Sequence, residues 1–261
     1  LEYASNGTVG FYSGYETLDV SPSDVLTSAT FDYKQMAGNV TISGLEQIQN
    51  SGTEAIINLL ESRIGVLEKT MSNTLSTSLY SDGTGTSGKE VGGLQLIVAD
   101  AGTGTVGGIN SSTYTFWQNA QTTATSSAFS TTNIQADMNT IYLSLVRGAD
   151  SPDLIMADTN AYKSFLGSLQ AIQRVTSDRV ATSGFTSVQY LNSDVIFDDA
   201  CPTNKMYFLN TDYLRLEVAA NRNFVPGEAK MSVNQDAMVT PMFWSGNLTC
   251  SNRALQGVIH T

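Results

Sequence analysis

Apolar residues recur at Ile56, Leu60, Ile64, Leu67, Met71, Leu75 and Leu79, in steps of four, four, three, four, four and four. That is the period of one helix face, and it predicts a single long α-helix over residues 44–80. Ile48, Ala55, Leu59 and Val66 widen the stripe, so the helix is expected to be covered on more than one side. No proline interrupts it. Gly52 and Gly65 lie inside, and each costs roughly 1 kcal/mol relative to alanine, which places an expected bend or break near one of them. Unbroken, the helix would reach ~50 Å. A compact ball of this chain length would be about 45–50 Å across. A strut as long as its own subunit belongs to a flat or elongated building block rather than to a globular enzyme.

The rest of the composition agrees with a chain that is covered by neighbours. Hydrophobic residues make up 41% of the 261, enough for a real core, yet only 14% are charged, against the usual quarter. Ser, Thr, Asn and Gly fill the gap. The formal net charge of −11 argues against binding nucleic acid by neutralising many phosphates. Cys201 and Cys250 make no disulfide framework and are expected to be buried free thiols. No run is long and apolar enough to span a membrane, and no signal-peptide pattern is present. The first residue is leucine, so the chain is expected to be processed, trimmed or incomplete. The sequons at Asn6, Asn39, Asn110 and Asn247 are expected by chance in a chain so rich in Ser, Thr and Asn.

Around the helix the chain reads as α+β. Residues 1–14, with Tyr3, Phe11 and Tyr12, show no period and suit an extended arm. Residues 15–43 read as a hairpin or ribbon, with Phe31, Tyr33, Val40 and Ile42 alternating with polar positions and turns at 21–24 and 37–39. A ribbon with so few apolar residues is marginal alone and is expected to pack elsewhere, on another subunit. After the long helix, residues 91–98 read as a strand, and 99–130 are Gly-, Ser- and Thr-rich with Tyr114, Phe116 and Trp117 as anchors. A helix capped by Thr131 or Thr132 carries Ile134, Met138, Ile141 and Leu145. A short strand at 154–157 leads through Asp158 or Thr159 into a helix with Tyr162, Phe165, Leu166 and Leu169. Residues 173–187 read as a polar loop. Strands are predicted at 188–197, 205–209, 214–218, 238–244 and 248–259.

No motif for chemistry survives its context. Gly83, Gly85 and Gly88 match G-x-G-x-x-G, and the stretch nearly matches a phosphate-binding loop ending at Gly88-Lys89. Both motifs follow a strand and open a helix, whereas this one follows a helix and opens a predicted strand. Glu90 stands where the loop needs Ser or Thr, and its charge would repel phosphate. A helix-terminating turn is expected, with no cofactor. The single histidine, His260, argues against a Ser-His-Asp triad or a histidine-based metal site. Asp150, Asp153, Asp198 and Asp199 lie beside turn residues and are expected to be solvated. Neither catalytic nor metal-binding residues are assigned.

The helix running into Leu79-Tyr80-Ser81-Asp82-Gly83-Thr84-Gly85, followed by Gly93-Leu94, resembles the major capsid proteins of tailed phages with the Hong Kong 97-type fold. So do residues 108–119, the strand-then-helix unit from Pro152 to Tyr162, and the ending from Trp244 to Arg253. The shared order carries the resemblance, over residues 15–261. Ser81 departs from the glycine or asparagine expected there, and Ser111 stands where a basic residue is expected. The resemblance implies an N-terminal arm (1–14), an extended E-loop ribbon (15–43), a P domain with the spine helix (44–130 and 227–261) and an inserted A domain (131–226). It implies self-assembly through pentamers and hexamers into an icosahedral shell around double-stranded DNA, contacted weakly and non-specifically. Scaffolding, portal and decoration proteins are the implied partners. The virion, assembled in the host bacterial cytoplasm, is the implied location. Phe31, Tyr33, Lys34, Val40 and Ile42 would make inter-subunit contacts; Ile56, Leu60, Ile64, Leu67, Met71 and Leu75 would form the spine-helix core. Some members crosslink a lysine to a neighbour's asparagine. Lys34 lies in the ribbon, but no catalytic acid can be named for it, so the chain is expected not to be an enzyme. The competing readings are an encapsulin-like nanocompartment shell of the same fold, a nucleotide-binding protein using residues 83–89, and a secreted adhesin.

Overall fold

The computed structural model describes residues 6–17, 19–22, 25–49, 53–169 and 188–261; the side chains of residue 49 and residues 53–59 are outside the description. After an extended arm come β1 (Lys34–Ser43), α1 (Gly44–Gln49) and α2 (Thr53–Ser78), then two single turns, α3 (Gly85–Gly88) and α4 (Leu94–Ile97). A small ladder of β2 (Thr105–Val106) and β3 (Ile109–Asn110) precedes β4 (Ala120–Thr123), α5 (Ile134–Leu145), β5 (Leu154–Ala157) and α6 (Thr159–Ser168). The chain ends through β6 (Val188–Tyr190), β7 (Ser193–Phe197), β8 (Lys205–Leu209), β9 (Leu214–Pro226), β10 (Lys230–Met231), β11 (Ala237–Cys250) and β12 (Gly257–His260).

The predicted helix is present in α2, whose 26 residues span about 39 Å and pass through Gly65 without interruption. The helical stretch is broken between α1 and α2, between Gln49 and Thr53, which is the break expected near Gly52. Ser43 and Glu46 cap α1 reciprocally, each accepting the other's N–H (3.1 and 3.2 Å). Arg63 of α2 then grips both carboxylate oxygens of that same Glu46 at 2.7 and 3.1 Å and donates to the Thr41 carbonyl. On one straight helix residues seventeen apart would be separated by about 25 Å, beyond the reach of the two side chains. The chain therefore folds back between α1 and α2. Ile64, Leu67, Met71 and Leu75 pack against Met36, Met242 and Trp244, and Leu60 is half-buried. Ile56 lies outside the described side chains. Val66 is 64% exposed, so among the described side chains α2 is covered on one side, not on several.

The hairpin expected over 15–43 is also replaced. β1 runs straight through Ala37-Gly38-Asn39 and pairs antiparallel with β11, from Lys34 opposite Gly246 to Ser43 opposite Ala237. Gly38 is there for close packing: a Cβ would lie 2.4 Å from Leu67 Cδ1 and 3.2 Å from Met71 Sδ. Val40 and Ile42 are both buried, on the chain's own strand. β11 is one continuous strand where two were expected to begin, and it is the centre of a four-stranded sheet flanked by β1, β9 and β10. A bulge near Trp244, with Phe224 at φ +53°, turns Phe224 onto the cluster beneath α2.

The second sheet has the order β4-β12-β8-β5-β7-β6. Its strands alternate with a period of two. Ile155, Ala157, Met206, Phe208 and Ile259 meet α5 and α6 on one face. Tyr207, Leu209 and Val258 meet Tyr80, Leu94, Ile97, Val106 and Trp117 on the other. β4 and β12 belong to this sheet, and β9 to the other. Asp158 caps α6 as expected, accepting from Ala161 N–H at 2.8 Å, while Asn133 rather than a threonine precedes α5. Residues 91–98 form no strand: α4 occupies 94–97. The predicted strand at 188–197 is the hairpin of β6 and β7. The predicted loop at 173–187 lies outside the described residues.

The α1–α2 clasp gives a pH expectation. The Arg63 guanidinium and the Ser43 N–H hold the Glu46 carboxyl down at about 2 instead of 4.5. A carboxyl lowered on folding stabilises fully above its ordinary value and loses that contribution as pH falls through the folded one. The clasp should thus persist from neutral pH to about 4.5 and open towards 2. Carboxyl NMR titration of Glu46 checks this; a midpoint near 4.5 would mean that the clasp does not hold in solution.

Candidate functional site

The glycine-rich turn after α2 is filled by its own chain. Asp82 accepts from both Thr84 N–H and Thr84 Oγ1 (2.9 and 2.8 Å). The Ser81 hydroxyl donates to the Val91 carbonyl at 2.8 Å. The Glu90 carboxylate lies against Gly85, where a Cβ would come within 2.2 Å of it, and accepts from Thr86. Lys34 reaches across to the Gly88 carbonyl at 2.6 Å. An anion entering the turn would meet a carboxylate already seated there.

Three of the turn acids, Asp150, Asp153 and Asp198, receive defined donors rather than water alone, a correction to their expected solvation, whereas Asp199 is exposed as expected. Asp198 accepts from Tyr80 Oη at 2.6 Å and from Ala200 N–H, and burial together with Asp198 raises the Tyr80 phenol. Asp153 accepts from Thr211, and Asp150 from Tyr213. Cys201 and Cys250 are buried free thiols, each pushed by burial up to about 12, too high to supply a thiolate at neutral pH. Among the described residues no three His, Cys, Asp or Glu side chains gather as metal ligands, and no helix is long and apolar enough to cross a membrane. The His260 ring pairs with Gln121 Oε1 at 3.3 Å.

What the fold does present is uncovered apolar surface. Phe11 and Tyr15 are fully exposed, and Val9, Tyr12, Val20 and Leu26 mostly so. Asn6 accepts from Val9 and Thr8, Ser13 and Glu16 bond each other, and Asp19 accepts from Ser21, all within the arm. The arm joins the body where Thr30 N–H donates to Gly107 and Phe31 packs on the cluster beneath the six-stranded sheet. Leu45, Ile48 and Val66 are bare on the helices, and Met231 and Val233 at the hairpin between β9 and β11. Of the predicted ribbon contacts, Tyr33 is 61% exposed. Phe31, Lys34, Val40 and Ile42 are engaged within the chain.

Two buried polar side chains hold these surfaces in register, and the sequence reading overlooked the weight of both. Asn247 accepts from Gly92 N–H at 3.1 Å and donates to the Asp32 carbonyl at 2.8 Å, tying β11 to the turn after α2 and to the root of the arm. Arg253 is fully buried. It donates to the carbonyls of Ile97, Trp117 and Thr103 and to Ser111 Oγ. Ser111, where a basic residue was expected, is thus the acceptor of a basic group brought from the far end of the chain.

No protein-family model matches the chain, and no curated protein matches it. Solved structures do. The capsid asymmetric unit of cyanophage A-1(L) is similar at a TM-score of 0.63 and 17% identity, over 88% of this chain and 76% of that one. The SrpI encapsulin of Synechococcus elongatus PCC 7942 is similar at 0.62 and 10%, over 87% and 73%. The capsid of Myoviridae phage XM1 is similar at 0.58 and 9%, again over 87% and 73%. The chain has the α+β fold of phage capsid proteins and of an encapsulin, the Hong Kong 97-type fold that the sequence resemblance implies.

Proposed function

We propose that this chain is a major capsid protein, a non-enzymatic subunit that self-assembles through pentamers and hexamers into the icosahedral shell of a tailed phage around double-stranded DNA. The observation that carries the reading is the arm: a segment with exposed Val9, Phe11, Tyr12, Tyr15 and Val20 on a subunit whose two sheets already have complete cores of their own. Bare aromatic groups in such number gain by leaving water, at roughly 25 cal/mol per Å², and a neighbouring subunit supplies the cover. The negative net charge suits an inner wall that lets packaged DNA move. Assembly in a host bacterial cytoplasm, and scaffolding, portal and decoration partners, belong to the same reading.

An encapsulin-like shell is the second reading, favoured by the similarity to SrpI. Light scattering and electron microscopy of the purified chain test both. Ring capsomers or closed shells are expected, and a stable monomer across conditions would sink both. Particles that fill with a protein cargo in place of DNA would select the second.

A further inference from the structure

Asparagine is followed by glycine once in the sequence, at Asn6-Gly7. Both residues are exposed. The Asn6 side-chain oxygen, Oδ1, accepts two hydrogen bonds from one neighbour, from Thr8 N–H at 3.0 Å and from Thr8 Oγ1 at 2.8 Å. The first of these closes an Asx turn and folds the amide back along the peptide that follows. Val9 N–H donates to the Asn6 backbone carbonyl at 3.4 Å. A Cβ at Gly7 would meet nothing within 4 Å among the described residues, and glycine passes through conformations closed to other residues. The Gly7 nitrogen therefore has room to turn onto Asn6 Cγ, whose oxygen already carries two donors. The same pattern recurs at Asp82-Gly83-Thr84, with the same pair of threonine donors at 2.9 and 2.8 Å. There the glycine is held: Gly83 N–H donates to Ser81 Oγ at 3.2 Å, and a Cβ on Gly83 would lie 3.2 Å from Gly92 Cα. Thr84 N–H and its hydroxyl keep the Asp82 carboxyl below its ordinary value, so Asp82 is a carboxylate, which a nitrogen does not attack. The turn is common to both sites; an amide beside a free glycine is found in the arm.

We propose that Asn6 is a self-modification site, at which the Gly7 nitrogen displaces the side-chain amide nitrogen as ammonia. Solvent hydroxide takes the Gly7 N–H proton. The bond from nitrogen to Cγ forms while the carbonyl π pair moves onto Oδ1, where the two Thr8 donors meet the developing charge. The Cγ–Nδ2 bond then breaks, its nitrogen takes a proton from water, and a succinimide ring remains. Water opens that ring: attack at Cγ gives aspartate, and attack at the backbone carbonyl carbon gives isoaspartate, with the chain rerouted through the former side chain. One water is consumed and one ammonia released, so no other reactant is needed. Residues 1–33 contain Glu2, Glu16, Asp19, Asp24 and Asp32 and no Lys or Arg. The new carboxylate thus adds like charge to a segment that is already anionic. None of this depends on the shell reading.

The full chain, held in mildly alkaline buffer and sampled over time, tests it. Peptide mapping by mass spectrometry follows each asparagine and Asp82 separately, and methyl transfer by an isoaspartyl methyltransferase reports the isoaspartyl product. Aspartyl and isoaspartyl forms are expected at position 6, appearing before any at the other asparagines, while Asp82 stays unchanged. Conversion should quicken as pH rises, because hydroxide removes the Gly7 proton. Gly7→Ala should slow it roughly tenfold and Thr8→Val roughly threefold, whereas Thr8→Ser, which keeps the hydroxyl, should convert at the wild-type rate. The assignment is overturned if residue 6 remains asparagine while others convert, if Gly7→Ala reacts as fast as wild type, or if Asp82 isomerises as fast as Asn6 converts. Equal rates for Thr8→Val and wild type would overturn the role given to Thr8.

Discussion

Arg253→Ala is expected to destabilise the subunit by about 4 kcal/mol or more, out of a total of ~5–15. Burial lowers the guanidinium to about 10, so at neutral pH a full cation sits inside the protein. The oxygens of Ile97, Thr103, Ser111 and Trp117 surround it. Alanine would leave those acceptors buried without donors, each at about 1–3 kcal/mol, and open a cavity between the six-stranded sheet and the segment that covers it. Arg253→Lys keeps the charge but offers a point donor in place of a planar fork, so about half the loss is expected. Urea unfolding of the three proteins decides the matter. A shift below about 1 kcal/mol for alanine would show that the guanidinium holds nothing together.

Gly93→Ala is expected to cost about 3 kcal/mol for one methyl group. A Cβ at Gly93 would lie 2.4 Å from the Leu79 carbonyl oxygen, 2.5 Å from its carbon and 2.6 Å from the Ser78 oxygen. These are backbone atoms of the end of α2, and they cannot rotate away. Leu94 N–H donates to that same Leu79 oxygen at 2.7 Å, so the clash also strains the bond that seats α4 on the helix end. Gly92→Ala is a useful contrast: its nearest atom is Leu96 Cδ2 at 2.8 Å, a side-chain terminus able to move, and a smaller loss is expected. Equal melting temperatures for Gly93→Ala and wild type would mean that the helix end is not so tightly seated.

The parts of this fold that local pattern controls were legible in the sequence. The 3.6-residue stripe identifies α2 because its lower face meets one continuous sheet. The unit from Leu154 through Asp158 to Phe165 reads correctly because strand, cap and helix signals follow one another within fifteen residues or so. The errors share a different cause. Ala37-Gly38-Asn39 has turn composition, yet β11, some two hundred residues later, supplies a partner that keeps β1 straight, and Gly38 is small for the sake of Leu67. Likewise nothing near Arg253 or Asn247 in the chain reveals the carbonyls and N–H groups they hold, because those come from residues 92–117 and 32.

The place of β12 has a consequence for the order of events in the cell. This strand lies between β4 and β8, parallel to one and antiparallel to the other, so β4 joins the rest of the six-stranded sheet only after residues 257–260 have been synthesised. Ile259 and Val258 then close the apolar layers above and below at once. Because β4 and β12 are separated by about half the chain, this closure is a long-range, late step. A chain cut short before residue 257 would leave β4 and one edge of β8 without their partner. Closing both apolar layers of the core therefore requires translation through His260.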